Sequence, residues 1–249
     1  MSSNDAQGCG FGEYSLNPTM SLSARPALEI LIFDWDGTLM DSTGAIVTCM
    51  QLAFAERGFD SPPPSAIRRT IGLSLEHAIA TLAPELTRAG CASIANAYRR
   101  LYALDRGGNA VPFGGVLEVL EALQDEYLLA IATGKSRRGL DRALGSVDLT
   151  KYFLASRCAD ESAPKPAPDM ILELVSEFGL EPHHALVIGD TTFDLEMARN
   201  AGAHYGCVSY GAHSATELAE NNPWFTISDI TDLPQEITKL QTLLENTGA

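Results

Sequence analysis

The segment that decides the fold reads EILIFDWDGT over residues 29–38. Its first half is an almost continuous apolar run, Ile30 to Phe33, which is typical of a strand covered by helices on both faces. Its second half places two carboxylates, Asp34 and Asp36, at the point where that strand ends. A buried strand that ends in acidic residues predicts a parallel sheet with a ligand site at its carboxyl edge.

Apolar runs of similar length recur along the chain, at residues 128–132, 185–188 and 204–208, with a shorter one at 152–155. Segments with apolar residues at three- and four-residue spacing separate them, at residues 116–124, 137–144, 168–178 and 193–200. This alternation of strand and helix predicts an α/β fold, a Rossmann-like doubly wound parallel sheet with helices on both faces.

The alternation is interrupted between the first strand and the rest. Helical patterns at residues 45–57, 75–82 and 94–104 follow one another there without a convincing strand. We therefore predict a helical cap over residues 43–110, inserted into an α/β core of residues 28–42 and 111–249. Residues 1–27 are rich in Gly, Ser and Asn and predict a disordered or extended tail, within which Met20 is an alternative start of translation.

The charge balance excludes several classes of partner. Lys and Arg number 17 against 32 Asp and Glu, a net charge of −15, and 45% of the residues are hydrophobic. Such an acidic chain is repelled by nucleic acid and by anionic membranes, so neither is expected as a partner. No apolar run has the length of a membrane span, and five scattered cysteines favour reduced thiols, so we expect a cytoplasmic protein. Its oligomeric state, monomer or homodimer, stays open.

The paired carboxylates Asp34 and Asp36 are candidate metal ligands. Both point to the same side of an extended backbone, and two close carboxylates repel each other unless a cation lies between them. Hard oxygen ligands of this kind suit Mg²⁺. The structural alternative is an Asp-Gly turn with a capping carboxylate.

Three further segments carry candidate site residues. Thr133 and Gly134 follow the run at 128–132, where a hydroxyl and backbone N–H groups at a helix N-terminus can hold a phosphate. Lys165 lies among prolines that stiffen its backbone. Asp190 and Asp194 follow the run at 185–188. The alternatives are an ordinary N-cap, a surface lysine and a capping box, respectively.

Taken together and in this order, these elements resemble the haloacid dehalogenase-like hydrolase superfamily. The segment DWDGTL at residues 34–39 matches its first motif, Thr133 the second, Lys165 the third, and Gly189-Asp190 with Asp194 the fourth. The pattern is most similar to the capped phosphatase branch that contains phosphoglycolate phosphatases. The resemblance implies an α/β core with a cap inserted after the first motif.

The resemblance also implies roles for the two acids of the first motif. Asp34 would be the nucleophile that attacks phosphorus and forms an aspartyl-phosphate, and Asp36 the general acid and then the base that activates water. Family members that cleave carbon–halogen bonds lack the second Asp, and transport ATPases have Thr there. Asp36 therefore indicates a phosphatase or a phosphomutase.

The remaining motif residues would hold the phosphoryl group and the cofactor. By resemblance, Thr133 and the N–H of Gly134 bind the phosphoryl oxygens, and Lys165 balances their charge. Mg²⁺ is the implied cofactor, with these ligands: Asp34, Asp36 through its carbonyl, Asp190, and Asp194 through water unless it orients Lys165 instead.

Specificity is expected to come from outside these motifs, because they contact only the phosphoryl group. The segment RRTIGLS at residues 68–74 resembles the cap loop that faces the core site in this family. The residues expected to contact the rest of a small phosphorylated metabolite are Arg68, Arg69, Gly72 and Lys135. The alternative for the two cap arginines is a solvated helix surface, which is also how we interpret Arg137 and Arg138.

Two other functions stay open at this point. A phosphosugar mutase of the β-phosphoglucomutase kind uses the same acids but returns the phosphoryl group to a sugar. Two-component receiver domains also combine acids, Thr, Lys and Mg²⁺, but they are much shorter and place the phospho-accepting Asp later in the chain. Gly134 occupies the position at which phosphoglycolate phosphatases commonly have Asn. This difference weakens the inference that this chain acts on the same substrate.

Overall fold

A computed structural model describes residues 26–106 and 110–247. The predicted tail lies outside these residues up to position 25, as do Met20 and Cys9. Strands within the described residues, in chain order, are β1 Ile30–Phe33, β2 Met40–Asp41, β3 Val111–Pro112, β4 Leu128–Thr133, β5 Ala155–Cys158, β6 Ala185–Gly189, β7 His204–Val208 and β8 Thr226–Ile227.

Helices connect and cover these strands. They are α1 Thr43–Glu56, α2 Pro64–Arg68, α3 Leu75–Leu82, α4 Arg88–Leu101, α5 Val116–Leu123, α6 Arg137–Val147, α7 Asp169–Glu177, α8 Thr192–Ala201, α9 Ala215–Ala219 and α10 Leu233–Thr247. One π-helical turn, Tyr102–Arg106, extends α4. Among the described helices, none combines the length and the apolar character that a bilayer crossing requires.

The main sheet is parallel throughout, in the order β5-β4-β1-β6-β7-β8. From the central strand β1, the chain first adds β4 and β5 on one side and then β6, β7 and β8 on the other. The direction of winding therefore reverses at β1, and in open α/β sheets ligands bind at the carboxyl ends of the strands beside such a reversal.

Both faces of the sheet are covered, which confirms the predicted doubly wound α/β fold. Alternate residues of β1 enter two different cores because successive side chains point to opposite faces. Leu31 and Phe33 lie in the cluster that includes residues of α5 and α10. Ile30 and Ile32 lie in the cluster that includes residues of α7 and α8. All four side chains are completely buried.

The strand predicted at residues 152–155 is displaced. Tyr152 ends a 3₁₀ turn, and β5 begins only at Ala155. As an edge strand, β5 carries polar residues, and Arg157 reaches two acids of α7, Glu173 and Glu177, at 2.7 Å each. The apolar run that we interpreted as the strand instead packs into the core as a turn, so this prediction was wrong by three residues.

Helices α1 to α4 form a helical insertion between β2 and β3. Those two short strands pair with each other, Met40 with Pro112 and Asp41 with Val111, so the chain leaves the core and returns to it at one place. The insertion has an apolar cluster of its own, which includes Val47, Phe54, Ile67, Ile79 and Ile94. A further short helix, α2, lies between α1 and α3, and Pro64 occupies its first turn.

Candidate active site

Three buried carboxylates meet at the carboxyl edge of the sheet. Asp34 follows β1, Asp190 follows β6, and Asp194 lies in the first turn of α8. One carboxylate oxygen of each lies within 4.8 Å of the others. The register of β1 and β6, in which Phe33 is opposite Ile188, brings the first two together.

Lys165 joins two of these acids. From the loop between β5 and α7, its Nζ donates to Oδ1 of Asp34 and to Oδ1 of Asp194, each at 2.5 Å. The side chain is buried, and burial alone would lower the pKa of Lys165. The two carboxylates outweigh that effect and raise the pKa, so the ammonium is charged.

The cluster is short of positive charge. Three carboxylates and one ammonium leave a formal charge of −2 on Asp34, Asp190, Asp194 and Lys165. Burial raises the pKa of Asp34 to about 7, in spite of Lys165, and burial also raises the pKa of Asp190. A divalent cation among these hard oxygen donors would supply the missing charge, so the residues present fit such an ion.

Asp190 is held by donors from two loops. Thr38 Oγ1 donates to its Oδ1 at 2.9 Å, and the backbone N–H of Ala212 donates to its Oδ2 at 2.7 Å. Two glycines make room for this carboxylate, because a Cβ at either Gly37 or Gly211 would lie 2.2 Å from its Oδ2. The segment that ends β1 and the loop after β7 therefore fix the orientation of Asp190.

Asp194 has a structural and an electrostatic partner. Its Oδ2 accepts from the backbone N–H of Thr191 at 3.0 Å and from that hydroxyl at 2.6 Å, which completes a capping box at the start of α8. Its Oδ1 accepts from Lys165. Asp194 therefore caps α8 with one carboxylate oxygen and contacts Lys165 with the other.

Asp36 lies apart from the carboxylate cluster and is bound to Lys135. Its Oδ2 is 2.8 Å from Lys135 Nζ, and its Oδ1 accepts from the Ser42 hydroxyl at 2.5 Å. Lys135 also lies over the ring of Tyr102, 4.8 Å from its centroid, and Tyr102 stacks on Tyr98. Burial would lower the pKa of Lys135, but Asp36 and Tyr102 raise it by more.

Thr133 and Gly134 lie directly below a loop of the insertion. Thr133 is the last residue of β4, and its Oγ1 accepts from the backbone N–H of Lys135 at 3.2 Å. A Cβ at Gly134 would lie 2.6 Å from the carbonyl oxygen of Gly72 and 2.7 Å from that of Leu73. Only a glycine at 134 allows the loop to approach the end of β4 so closely.

A cavity of about 770 Å³ opens between the insertion and the sheet edge, and Asp34, Asp36 and Thr133 line it. Of the residues predicted to contact the rest of a substrate, Gly72 and Lys135 line it as well.

The two cap arginines lie elsewhere. Arg68 and Arg69 are exposed and are not among the described residues that line the cavity, and Arg69 Nε lies 3.9 Å from a carboxylate oxygen of Glu217 in α9. Arg138 is exposed, in agreement with its interpretation as a solvated helix residue, and it also lines the cavity.

Sequence reasoning missed several members of this site. Thr38 was recognisable, since it follows directly on the two acids of the first segment. Tyr98 and Tyr102 also carry a signal, because residues four apart share one face of a helix. The donor from Ala212 is a backbone group after β7, and the sequence holds no sign of it.

Comparison with known proteins agrees with the geometry of the site. The sequence model of the family described as haloacid dehalogenase-like hydrolase matches residues 31–208. A probable phosphatase, IndB, from Dickeya dadantii is 34% identical over 224 residues, which are 85% of this chain and 95% of that protein. A phosphoglycolate phosphatase from Agrobacterium fabrum is 28% identical over 218 residues, 85% of this chain and 93% of that protein.

A solved structure has the same fold. A haloacid dehalogenase-like family hydrolase from Streptococcus pneumoniae superposes with a TM-score of 0.76 at 26% identity, over 85% of this chain and 99% of that one. The family match covers more than half of the chain, and its span contains β1 from Leu31 onward, the carboxylate cluster and Lys165. This chain belongs to the haloacid dehalogenase-like hydrolase family.

Proposed function

We propose that this chain is a Mg²⁺-dependent phosphatase that hydrolyses a small phosphomonoester through an aspartyl-phosphate on Asp34, most like a phosphoglycolate phosphatase. The observation that carries the proposal is the contact of one buried ammonium, Lys165, with Asp34 at the floor of the cavity. Phosphoryl transfer needs positioned positive charge more than it needs other covalent chemistry.

Asp34 is the proposed nucleophile because of its access to the cavity. All three clustered carboxylates are buried, but of the three only Asp34 is among the described residues that line the cavity. Its Oδ1 is occupied by Lys165, which leaves its other oxygen for attack on phosphorus. The contact with Lys165 also lowers the repulsion between this carboxylate and an anionic substrate.

Asp36 is the proposed proton donor to the leaving alcohol and the base for the attacking water. It lines the same cavity, two residues beyond the nucleophile, and it is outside the carboxylate cluster that would hold the metal. Its contacts with Lys135 and Ser42 hold its side chain in one orientation. A fixed carboxylic acid beside the leaving group is the usual requirement for general acid catalysis.

Mg²⁺ is the proposed cofactor, held by Asp34, Asp190 and the Asp36 carbonyl, with Asp194 acting through water or through Lys165. When bound, it supplies charge that offsets the phosphoryl oxygens. Thr133 and the N–H of Gly134 would bind the remaining phosphoryl oxygens where α6 begins, since backbone N–H groups at a helix N-terminus favour anions.

The helical insertion is the proposed cap, over residues 43–110, with the core at 28–42 and 111–249. The loop at Gly72 and Leu73 lies against the phosphate seat at Gly134. Opening of this contact would admit substrate, and its closure would exclude bulk water from the aspartyl-phosphate.

The experiment that tests the proposal measures phosphate release from p-nitrophenyl phosphate in Mg²⁺ and again after chelation with EDTA. We expect turnover that EDTA abolishes and added Mg²⁺ restores. Activity that survives EDTA would remove the metal from the mechanism. With a hexose phosphate, free phosphate supports the phosphatase, whereas an isomerised sugar phosphate supports the mutase.

A further inference from the structure

The cavity is much larger than a phosphoryl group. Its volume of about 770 Å³ falls in the range that holds whole cofactors or drug-sized ligands, about 300–1,000 Å³. The wall that the insertion contributes is largely apolar and aromatic, and it includes Ile46, Met50, Leu75, Tyr98 and Tyr102. This wall suits the carbon body of a leaving group that extends well beyond the phosphate.

Two exposed arginines of α6 line the opposite wall. Arg138 and Arg142 are four residues apart on α6, so they share one face of the helix, and both line the cavity. Neither makes a hydrogen bond or an ion pair with any residue in the described part of the chain. Their charges are therefore available to a ligand.

Three of the four acids among the described lining residues have a cationic partner, which leaves the charge of one acid, Asp160, against those of the two arginines. The ion pairs are Asp34 with Lys165, Asp36 with Lys135 and Glu76 with Arg99, whereas Asp160 accepts from the neutral backbone N–H of Arg137. The wall formed by α6 is thus locally positive in a chain whose net charge is −15.

The position of the arginines gives an upper bound on the length of the ligand. The proposed phosphate seat is at the beginning of α6, which Ser136 caps. Arg142 lies six residues further, about 9 Å along the axis at a rise of ~1.5 Å per residue. Helical side chains lean toward the N-terminus and an arginine side chain is itself several ångströms long, so an anion held by Arg142 need not span this whole rise, and a leaving group of several bonds suffices.

We propose that Arg138 and Arg142 form a subsite for a second anionic group, and that the substrate is a phosphomonoester whose extended, partly apolar leaving group ends in a carboxylate or a second phosphate. Guanidinium groups bind both anions through paired hydrogen bonds. This inference rests on the proposed phosphatase function and adds to it the class of leaving group.

The test compares two substrates that differ only at the far end, hexyl phosphate and 6-phosphonooxyhexanoate, with the bisphosphate of 1,6-hexanediol as a third. In the wild type we expect the terminal anion to raise kcat/KM about ten-fold or more, in keeping with a charge-assisted contact. In the double variant Arg138→Gln with Arg142→Gln, the ratio of the two kcat/KM values should fall close to one. The bisphosphate shows whether phosphate or carboxylate is preferred.

Two further variants make the readout specific. Arg138→Lys with Arg142→Lys should keep part of the ratio, because the charge remains. Arg68→Gln removes an exposed arginine that is not among the described lining residues, and it should leave the ratio at the wild-type value.

A ratio near one in the wild type, or a ratio that the double Gln variant leaves unchanged, would overturn the subsite. A second measurement separates this failure from failure of the phosphatase proposal. Calorimetric binding of hexyl phosphate and 6-phosphonooxyhexanoate to the Asp34→Asn variant in Mg²⁺ gives a ratio of Kd values without turnover. If the wild type hydrolyses nothing, the phosphatase proposal fails, and the Kd ratio still decides the subsite.

Discussion

Lys165 Nζ lies 2.5 Å from Oδ1 of Asp34, although 131 residues separate the two in the chain. The contact forms because Asp34 ends the central strand β1 and Lys165 occupies the loop between the edge strand β5 and α7. One ammonium thereby compensates two buried acids, Asp34 and Asp194, and leaves the cluster with Asp190 short of positive charge.

Replacing Lys165 by Met tests this contact. The change leaves buried carboxylates without their partner, so we expect a loss of about 3–5 kcal/mol in the free energy of unfolding, measured by urea denaturation in EDTA. We also expect kcat on p-nitrophenyl phosphate to fall by about 10²–10³-fold or more, the usual effect of removing one charge-stabilising group.

The matched control is Lys239→Met, at an exposed lysine whose partner is Glu236 at 2.6 Å. Exposed pairs contribute little, so its stability should stay within about 0.5 kcal/mol of the wild type. Equal effects of the two substitutions would contradict the role given to Lys165.

Replacing Gly134 by Ala tests the closure of the insertion. The new Cβ would lie 2.6 Å from the Gly72 carbonyl oxygen, and a backbone atom cannot move aside without moving its loop. We expect KM for p-nitrophenyl phosphate to rise several-fold, with a loss of about 1–3 kcal/mol of stability.

Gly145 offers a control in α6, the helix that follows Gly134, because a Cβ at Gly145 meets nothing within 4 Å. Gly145→Ala should leave KM unchanged and gain up to about 1 kcal/mol. If Gly134→Ala left KM at the wild-type value, the loop would not lie over the phosphate seat in solution.

The raised pKa values of the cluster predict that stabilisation by Mg²⁺ grows with pH. The pKa of Asp34 is about 7 in the folded protein, above its unfolded value of about 4. Without metal, its contribution to stability is therefore complete below about pH 4 and is lost as the pH rises through 7. The pKa of Asp190 is also raised, so its contribution to stability likewise falls as the pH rises.

A cation competes with protons for these oxygens, so the increase in Tm caused by saturating Mg²⁺ should be larger at pH 8 than at pH 5. Differential scanning calorimetry measures this increase in Tm at both pH values. KCl at matched ionic strength is the control. The same increase at both pH values would show that Mg²⁺ does not bind the titrating carboxylates.

Gly211→Ala tests the orientation of Asp190. The added Cβ would lie 2.2 Å from Oδ2, so the carboxylate must turn away from the Ala212 N–H. We expect the Mg²⁺ concentration that gives half-maximal activity to rise about ten-fold, since groups that orient metal ligands commonly have effects of this size.

Gly44→Ala is the control for that substitution, because a Cβ at Gly44 meets nothing within 4 Å. It should leave the Mg²⁺ dependence unchanged. An unchanged Mg²⁺ dependence in Gly211→Ala as well would mean that Asp190 is not a ligand.

The central part of the fold was predictable because fully buried parallel strands have a distinctive composition. The run at Ile30 to Phe33 is apolar on both faces, and it became β1. The edge strand β5 was misplaced because two of its four residues are polar: Ser156 and Arg157 point to opposite faces of the sheet, and both are only half-buried. The last helix, α10, was overlooked, although its buried Leu233, Ile237, Leu240 and Leu244 follow helical spacing.

The candidate site also has a part that the sequence predicts and a part that it does not. Asp34, Lys165, Asp190 and Asp194 each follow a recognisable strand or proline-rich segment, and the structure brings these four together. The surroundings of the substrate were less predictable because they depend on how the insertion packs on the core. For that reason Arg68 lies outside the cavity wall, whereas Arg138, exposed as expected, also lines the cavity.

The central claim is that Asp34 is the nucleophile of a Mg²⁺-dependent phosphatase, and Asp34→Asn tests it most directly. The measurement is the steady-state rate of phosphate release from p-nitrophenyl phosphate in Mg²⁺, with Asp41→Asn as the control at an exposed acid of β2. We predict no detectable turnover for Asp34→Asn and the wild-type rate for Asp41→Asn. A wild-type rate in Asp34→Asn would contradict the account.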